Sequence, residues 1–199
     1  MQVFFTSLLI GIIHVLSGPD HLAAVSPLAA DNNKSWKVGF FWSIGHTFGV
    51  FILGVIFFFF KDILNLYKLT QTSEKIVAFT VIFIGVWAIV RQFNKRDKKD
   101  LSHFHKHSIN AITLVGLIHG LAGFSHIIGI LPTLVYPSLF QSIIYLIGFT
   151  IGTILTMVVY ALIIGIINKK LCFIPNWHVR FCVTLGVISI IIGVYWLFI

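Results

Sequence analysis

The chain has 199 residues, 58% of them hydrophobic and 10% charged, and its mean hydropathy is +0.99. An ordinary soluble domain carries about 25% charged residues, so this composition excludes one and specifies an integral membrane protein. The formal net charge of +8 sits between the apolar runs, which points to membrane topology and not to nucleic acid as a partner.

No Lys or Arg precedes Lys34. The start therefore lacks the basic region of a cleaved secretory signal, and the first apolar segment is expected to stay in the mature protein. Apolar runs of about 20 residues predict six spans near 2–30, 36–60, 74–93, 110–131, 138–166 and 178–199. The first is too long for a straight crossing of a roughly 30 Å hydrocarbon core. It carries its own break: Pro19 has no N–H and its ring clashes with the Val15 carbonyl, while Gly18 supplies backbone freedom for the bend. Around this break, the stretch 11–27 (GIIHVLSGPDHLAAVSP) holds His14, Asp20 and His21 at membrane depth. Ionisable side chains there cost several kcal/mol unless they face partners or a water-filled path, so they are read first as functional. Asp20 falls in the first turn of the second half-helix, where the positive end of the dipole favours a carboxylate.

The second span adds His46 within SIGHTFGV, and Phe57 to Phe60 ending at Lys61 read as an interfacial anchor. The longest predicted loop, 91–109, contains His103, His105 and His107 in SHFHKHS. A solvated linker is the favoured reading there over a metal-collecting arm, because short His-rich tracts are only compositional signals. Cys172 and Cys182 lack C-x-x-C spacing and are expected to be free thiols, forming neither a redox pair nor a zinc site. Lys34, Lys37, Arg91, Lys95, Arg96, Lys98, Lys99, Lys106, Lys169, Lys170 and Arg180 fall on one side of a six-span arrangement, against Lys61, Lys68 and Lys75 on the other. The richer side, with loop 91–109, is expected to be cytoplasmic and both termini outside, most simply in the plasma membrane.

Sliding the chain by 105 residues lays 11–27 over 116–132 (GLIHGLAGFSHIIGILP), pairing His14 with His119, His21 with His126 and Pro27 with Pro132. Ile44 to Gly49 similarly matches Ile147 to Gly152 at an offset of 103. Three spans per half is an odd number, so the halves must be inverted in the membrane: residues 1–97 form one three-helix repeat, 98–104 a linker and 105–199 the other. The expected fold is all-α, with a broken first helix in each half.

His14 and His21, seven residues apart, would share a face of an unbroken helix. Joined by Asp20, His46, His119 and His126, they form a nitrogen-rich set that suits nickel, cobalt, copper or zinc better than magnesium or calcium. Ser17, Ser43, Thr47 and Ser125 are candidates to orient those imidazoles from outside. His126 alone reads equally well as an interhelical hydrogen-bond donor. A relay of protons through Asp and His is compatible with metal movement, since an imidazole must shed its proton to bind metal.

HVLSGPDHLAAV resembles the His/Asp-His signature of the nickel/cobalt transporter family, with one residue more between His14 and Asp20. SIGHTFGV resembles that family's Gly-His-Ser motif, and HGLAGFSHIIGILP resembles the fourth-span motif of its short, urease-accessory-type branch. The resemblance implies inverted three-helix repeats of the lysine-exporter superfamily, with His14, Asp20 and His21 binding substrate and His46 beside them. The reading is then a secondary transporter of nickel or cobalt that is not an enzyme and needs no cofactor, the metal being its substrate and the bilayer its surroundings. A second copy of the chain or a metallochaperone are the candidate protein partners. The rivals are export of another small solute, a membrane-embedded metalloenzyme, and a subunit that delivers metal to a partner.

Overall fold

A computed structural model of the chain describes residues 1–60, 66–94, 104–122, 129 and 132–198. Every regular element among these residues is a helix: α1 (Gln2–Ser17), α2 (Pro19–Ala30), α3 (Ser35–Phe60), α4 (Leu66–Asn94), α5 (Phe104–Ala122), α6 (Pro132–Val135), α7 (Leu139–Lys170) and α8 (Trp177–Leu197). Four of them, α3, α4, α7 and α8, are long and apolar enough to cross a membrane, and the bent pair α1 and α2 makes a fifth. The expected fourth span, 110–131, is described as a helix only as far as Ala122. Its apolar part, Ile109–Ala122, is shorter than a crossing needs, and 123–128 lie outside the described residues. The expected loop 91–109 is also shorter than read from sequence, because α4 runs to Asn94 and α5 starts at Phe104.

α1 and α2 meet at 73°, where Pro19 takes the first position of a new helix and its missing N–H costs nothing. Gly18 has φ −93° and ψ 92°, a conformation open to any residue. Backbone freedom is therefore not what the position demands. A Cβ on Gly18 would run into Nδ1 of His21, so the glycine is needed for room.

α2 lies at the centre. Nine of its residues are buried, among them Ala23, Ala24, Val25, Ala29 and Ala30, because small side chains let α3, α4, α7 and α8 close around it. Pro27 within α2 cannot donate to the Ala23 carbonyl. In apolar surroundings that oxygen needs another donor, and Ser189 Oγ of α8 lies 2.8 Å from it. At the other end of α2, Asn168 of α7 donates to the Ala30 carbonyl at 2.7 Å, satisfying an oxygen that the helix terminus leaves open.

The remaining helices pair through glycines. Gly45 and Gly49 of α3 sit against the Thr113 and Leu117 carbonyls of α5, and Gly116 and Gly120 of α5 sit against the Trp42 and His46 carbonyls of α3. Gly148 and Gly152 of α7 meet the Phe4 and Leu8 carbonyls of α1 in the same manner. Each is a small-x-x-x-small pair that lets backbones touch. Outward-facing Phe5, Leu9, Phe51, Phe79, Phe83, Leu155 and Ile191 are more than half exposed, as lipid-facing positions should be.

Candidate metal centre

The glycine crossings decide where the histidines go. His46 lies between Gly45 and Gly49, and His119 between Gly116 and Gly120, so the close approach of α3 and α5 brings their rings to 5.9 Å between centroids. His14 comes from the end of α1 and His21 from the first turn of α2. Despite the bend their rings meet edge-on at 4.9 Å, and His21 is also 4.9 Å from His46 and from His119. His21 is thus the hub of the four imidazoles, with His14, His46 and His119 each 4.9 Å from its ring. His21 is 1% exposed, and His46 and His119 are fully buried; His14 is partly exposed.

Asp20, 6% exposed, binds the group together. His21 Nδ1 donates to its Oδ1 at 3.1 Å and His119 Nε2 to its Oδ2 at 2.9 Å. An ionised carboxylate only accepts, so the ring nitrogens facing it carry the protons. In neutral rings this leaves the lone pairs on His21 Nε2 and His119 Nδ1. Two sets of ligand atoms lie within 4.8 Å of one another: His14, His21 and His46, and Asp20, His21 and His119. In the first set, Asp20 stands behind His21 and fixes its tautomer, the carboxylate–histidine pairing common behind metal ligands. Trp42, fully buried, stacks on His46 at 4.9 Å and 8° and closes that side. Phe149 of α7 lies 5.4 Å from the His14 ring.

The expected outer residues differ in where they point. Ser17 donates to the His14 carbonyl and Ser43 to the Phe40 carbonyl, each within its own helix. Thr47 Oγ1 is buried with no hydrogen-bond partner among the described residues. His126, Ser125 and His103 lie outside the described residues, and His105 and His107 fall in the first turns of α5. A cavity of about 330 Å³ at the end of the bundle where α3 starts is lined by Lys34 and Lys37, a lining that repels cations.

Sequence reading passed over a second polar group, at the far end of α2. Asp31 pairs with Arg91 at 3.0 Å and accepts from Gln92 at 3.2 Å and His178 Nε2 at 3.3 Å. These residues border loops, where polar side chains are ordinary, so burial depth gave no signal.

Apolar helices packed around a buried core of histidine and carboxylate define the class, an integral membrane protein. Within that class the chain belongs to the family of the cytochrome C biogenesis protein transmembrane region, which it matches over residues 3–195. It is 33% identical over 185 residues to chloroplast protein FOR GROWTH AND FERTILITY 1 of Arabidopsis thaliana, covering 84% of this chain and 50% of that protein. Protein 2 of the same name is 32% identical over 182 residues, covering 84% and 48%. The chain thus spans about half the length of these two relatives. The urease accessory protein UreH of Bacillus sp. (strain TB-90) is 26% identical over 212 residues, covering all of this chain and 91% of UreH. No solved structure matches. The family shown is not the nickel/cobalt transporter family that the motifs resemble, and the UreH relative falls on the urease-accessory side of that resemblance.

Proposed function

We propose that the chain is a secondary transporter of divalent transition-metal ions, with nickel or cobalt as cargo. It works by alternating access between two inverted halves, residues 1–97 and 105–199. The observation that carries this reading is Asp20, whose carboxylate joins His21 of the first half to His119 of the second. A site made by broken-helix residues of both repeats is where such transporters bind their cargo. His14, His21 and His46 would hold the ion through imidazole nitrogens. Asp20 would orient His21 and His119 and supply negative charge. Three nitrogens with a nearby carboxylate suit nickel and cobalt.

The packing of the halves also supports alternation. With offsets of 103 and 105, Gly148 corresponds to Gly45 and Phe4 to Ile109. Gly45 nevertheless meets Thr113 on α5, while Gly148 meets Phe4 on α1, one helical turn earlier in the corresponding register. Two equivalent crossings in different registers are what an inverted repeat caught on one side of its cycle would have, and exchange of the registers would open the other side. The basic residues around 31–37, 91–109 and 167–180 support a cytoplasmic position for that end, with the plasma membrane as the simplest location.

The resemblance to the nickel/cobalt transporter family and the name of the UreH relative support nickel. That name also favours a second reading, delivery of metal to a partner, in which the chain alone would not move it across a bilayer. The first test is the metal content of cells expressing the protein or Asp20→Asn, across nickel, cobalt, zinc, manganese and iron. A gain in nickel or cobalt that the substitution removes marks import, and a substitution-sensitive loss marks export. Unchanged metal content with both proteins overturns the proposal.

A further inference from the structure

We infer that Asp31, His178 and Cys182 form a second site for a divalent transition metal, distinguished from the histidine centre by a thiolate ligand. The three ligand atoms lie within 4.8 Å of one another. Asp31 caps the C-terminal end of α2, and His178 and Cys182 sit one turn apart on α8. Asp20 and Asp31 are eleven positions apart, about 16 Å along α2 at 1.5 Å per residue, so the two sites stand at opposite ends of the buried helix.

The geometry fits coordination. His178 Nε2 is 3.3 Å from Asp31 Oδ1 and 3.9 Å from Cys182 Sγ. Ligand atoms held tetrahedrally at 2.0–2.3 Å from a metal are about 3.3–3.6 Å apart, so the Asp31–His178 pair already has that spacing, the His178–Cys182 pair needs a contraction of a few tenths of an ångström, and Asp31 and Cys182, within 4.8 Å, close the set by a larger movement of the sulfur. Cys182 is fully buried, the Asp31 side chain is 5% exposed and that of His178 41%, which leaves one approach from the loop end. Three protein ligands keep a fourth position open, as in sites that exchange what they hold.

The neighbours prepare the ligands. Arg91 holds Asp31 Oδ2 at 3.0 Å and thereby directs Oδ1 toward His178. Asn168 Nδ2 donates to His178 Nδ1 at 2.8 Å, which places the imidazole proton on Nε2 in the metal-free protein. Metal binding moves that proton to Nδ1 and releases the Cys182 proton to solvent. Asn168 Oδ1, buried and without a hydrogen-bond partner among the described residues, accepts from Nδ1 once the amide turns, at the expense of the Asn168 bond to Ala30. Thiolate, imidazole and carboxylate together select zinc, cobalt or nickel over magnesium and calcium.

Cobalt(II) titration of the purified full chain in detergent, with a thiol-free reductant, tests this directly. The histidine centre contains no sulfur, so a near-ultraviolet thiolate-to-cobalt charge-transfer band reports the second site alone, whatever the fate of the transport proposal. The expected result is a saturable band in the wild type, lost in Cys182→Ser, retained in Cys172→Ser, and needing about tenfold more cobalt in Asn168→Ala. Absence of the band in the wild-type protein, or its loss in Cys172→Ser but not Cys182→Ser, overturns the inference.

Discussion

At Gly18 the requirement is space beside a ring. His21 packs over this position because Pro19 restarts the helix and swings α2 through 73°, laying the imidazole back across the break. Gly18→Ala should therefore push His21 away from Asp20 and His46. A loss of about 10- to 100-fold in metal affinity is expected, the range for disturbing a ligand's support, with helix content unchanged. Equilibrium metal binding beside circular dichroism of the purified protein reads both; wild-type affinity in Gly18→Ala would contradict the steric account. The histidines themselves were legible in the sequence, because polar groups deep in apolar runs carry a large cost. The reason for Gly18 was not, since only the fold puts His21 over it.

At the scale of the element, α2 can be buried because its defects are repaired from outside. Pro27 deprives the Ala23 carbonyl of its helical donor, and Ser189 stands 2.8 Å away on α8. Ser189→Ala leaves that oxygen unsatisfied away from water and should cost about 1 kcal/mol, read as a lowered thermal midpoint in detergent. An unchanged midpoint would mean that the carbonyl finds another donor. The break at Gly18–Pro19 and the approximate spans of α3, α4, α7 and α8 could be read from proline and from apolar length. The partnership of Pro27 with Ser189 could not, because it joins residues far apart in the chain. The same holds for Asp31, His178 and Cys182: of these only Cys182 drew notice in the sequence, as a free thiol, and the three come together only where α2 ends against the start of α8.

For the whole molecule, the glycine crossing of α3 with α5 brings His46 and His119 beside His21, Asp20 joins His21 to His119, and α2 links that centre to the ion-paired end at Asp31. Buried polar positions in the sequence pointed to His14, His21, His46 and His119 as candidates, and His21 lies 4.9 Å from each of the other three rings. That Gly45 meets Thr113 and Gly148 meets Phe4 was not legible, since a glycine motif carries no information about which turn of a neighbouring helix it meets. The measurement that bears most directly on the transport claim is nickel or cobalt entry into proteoliposomes containing this chain alone and a trapped metal-sensitive dye. The account predicts saturable entry that Asp20→Asn reduces to the rate of empty vesicles. Metal binding by the reconstituted protein with entry no faster than in empty vesicles would contradict transport and leave the buried histidines to a delivery role.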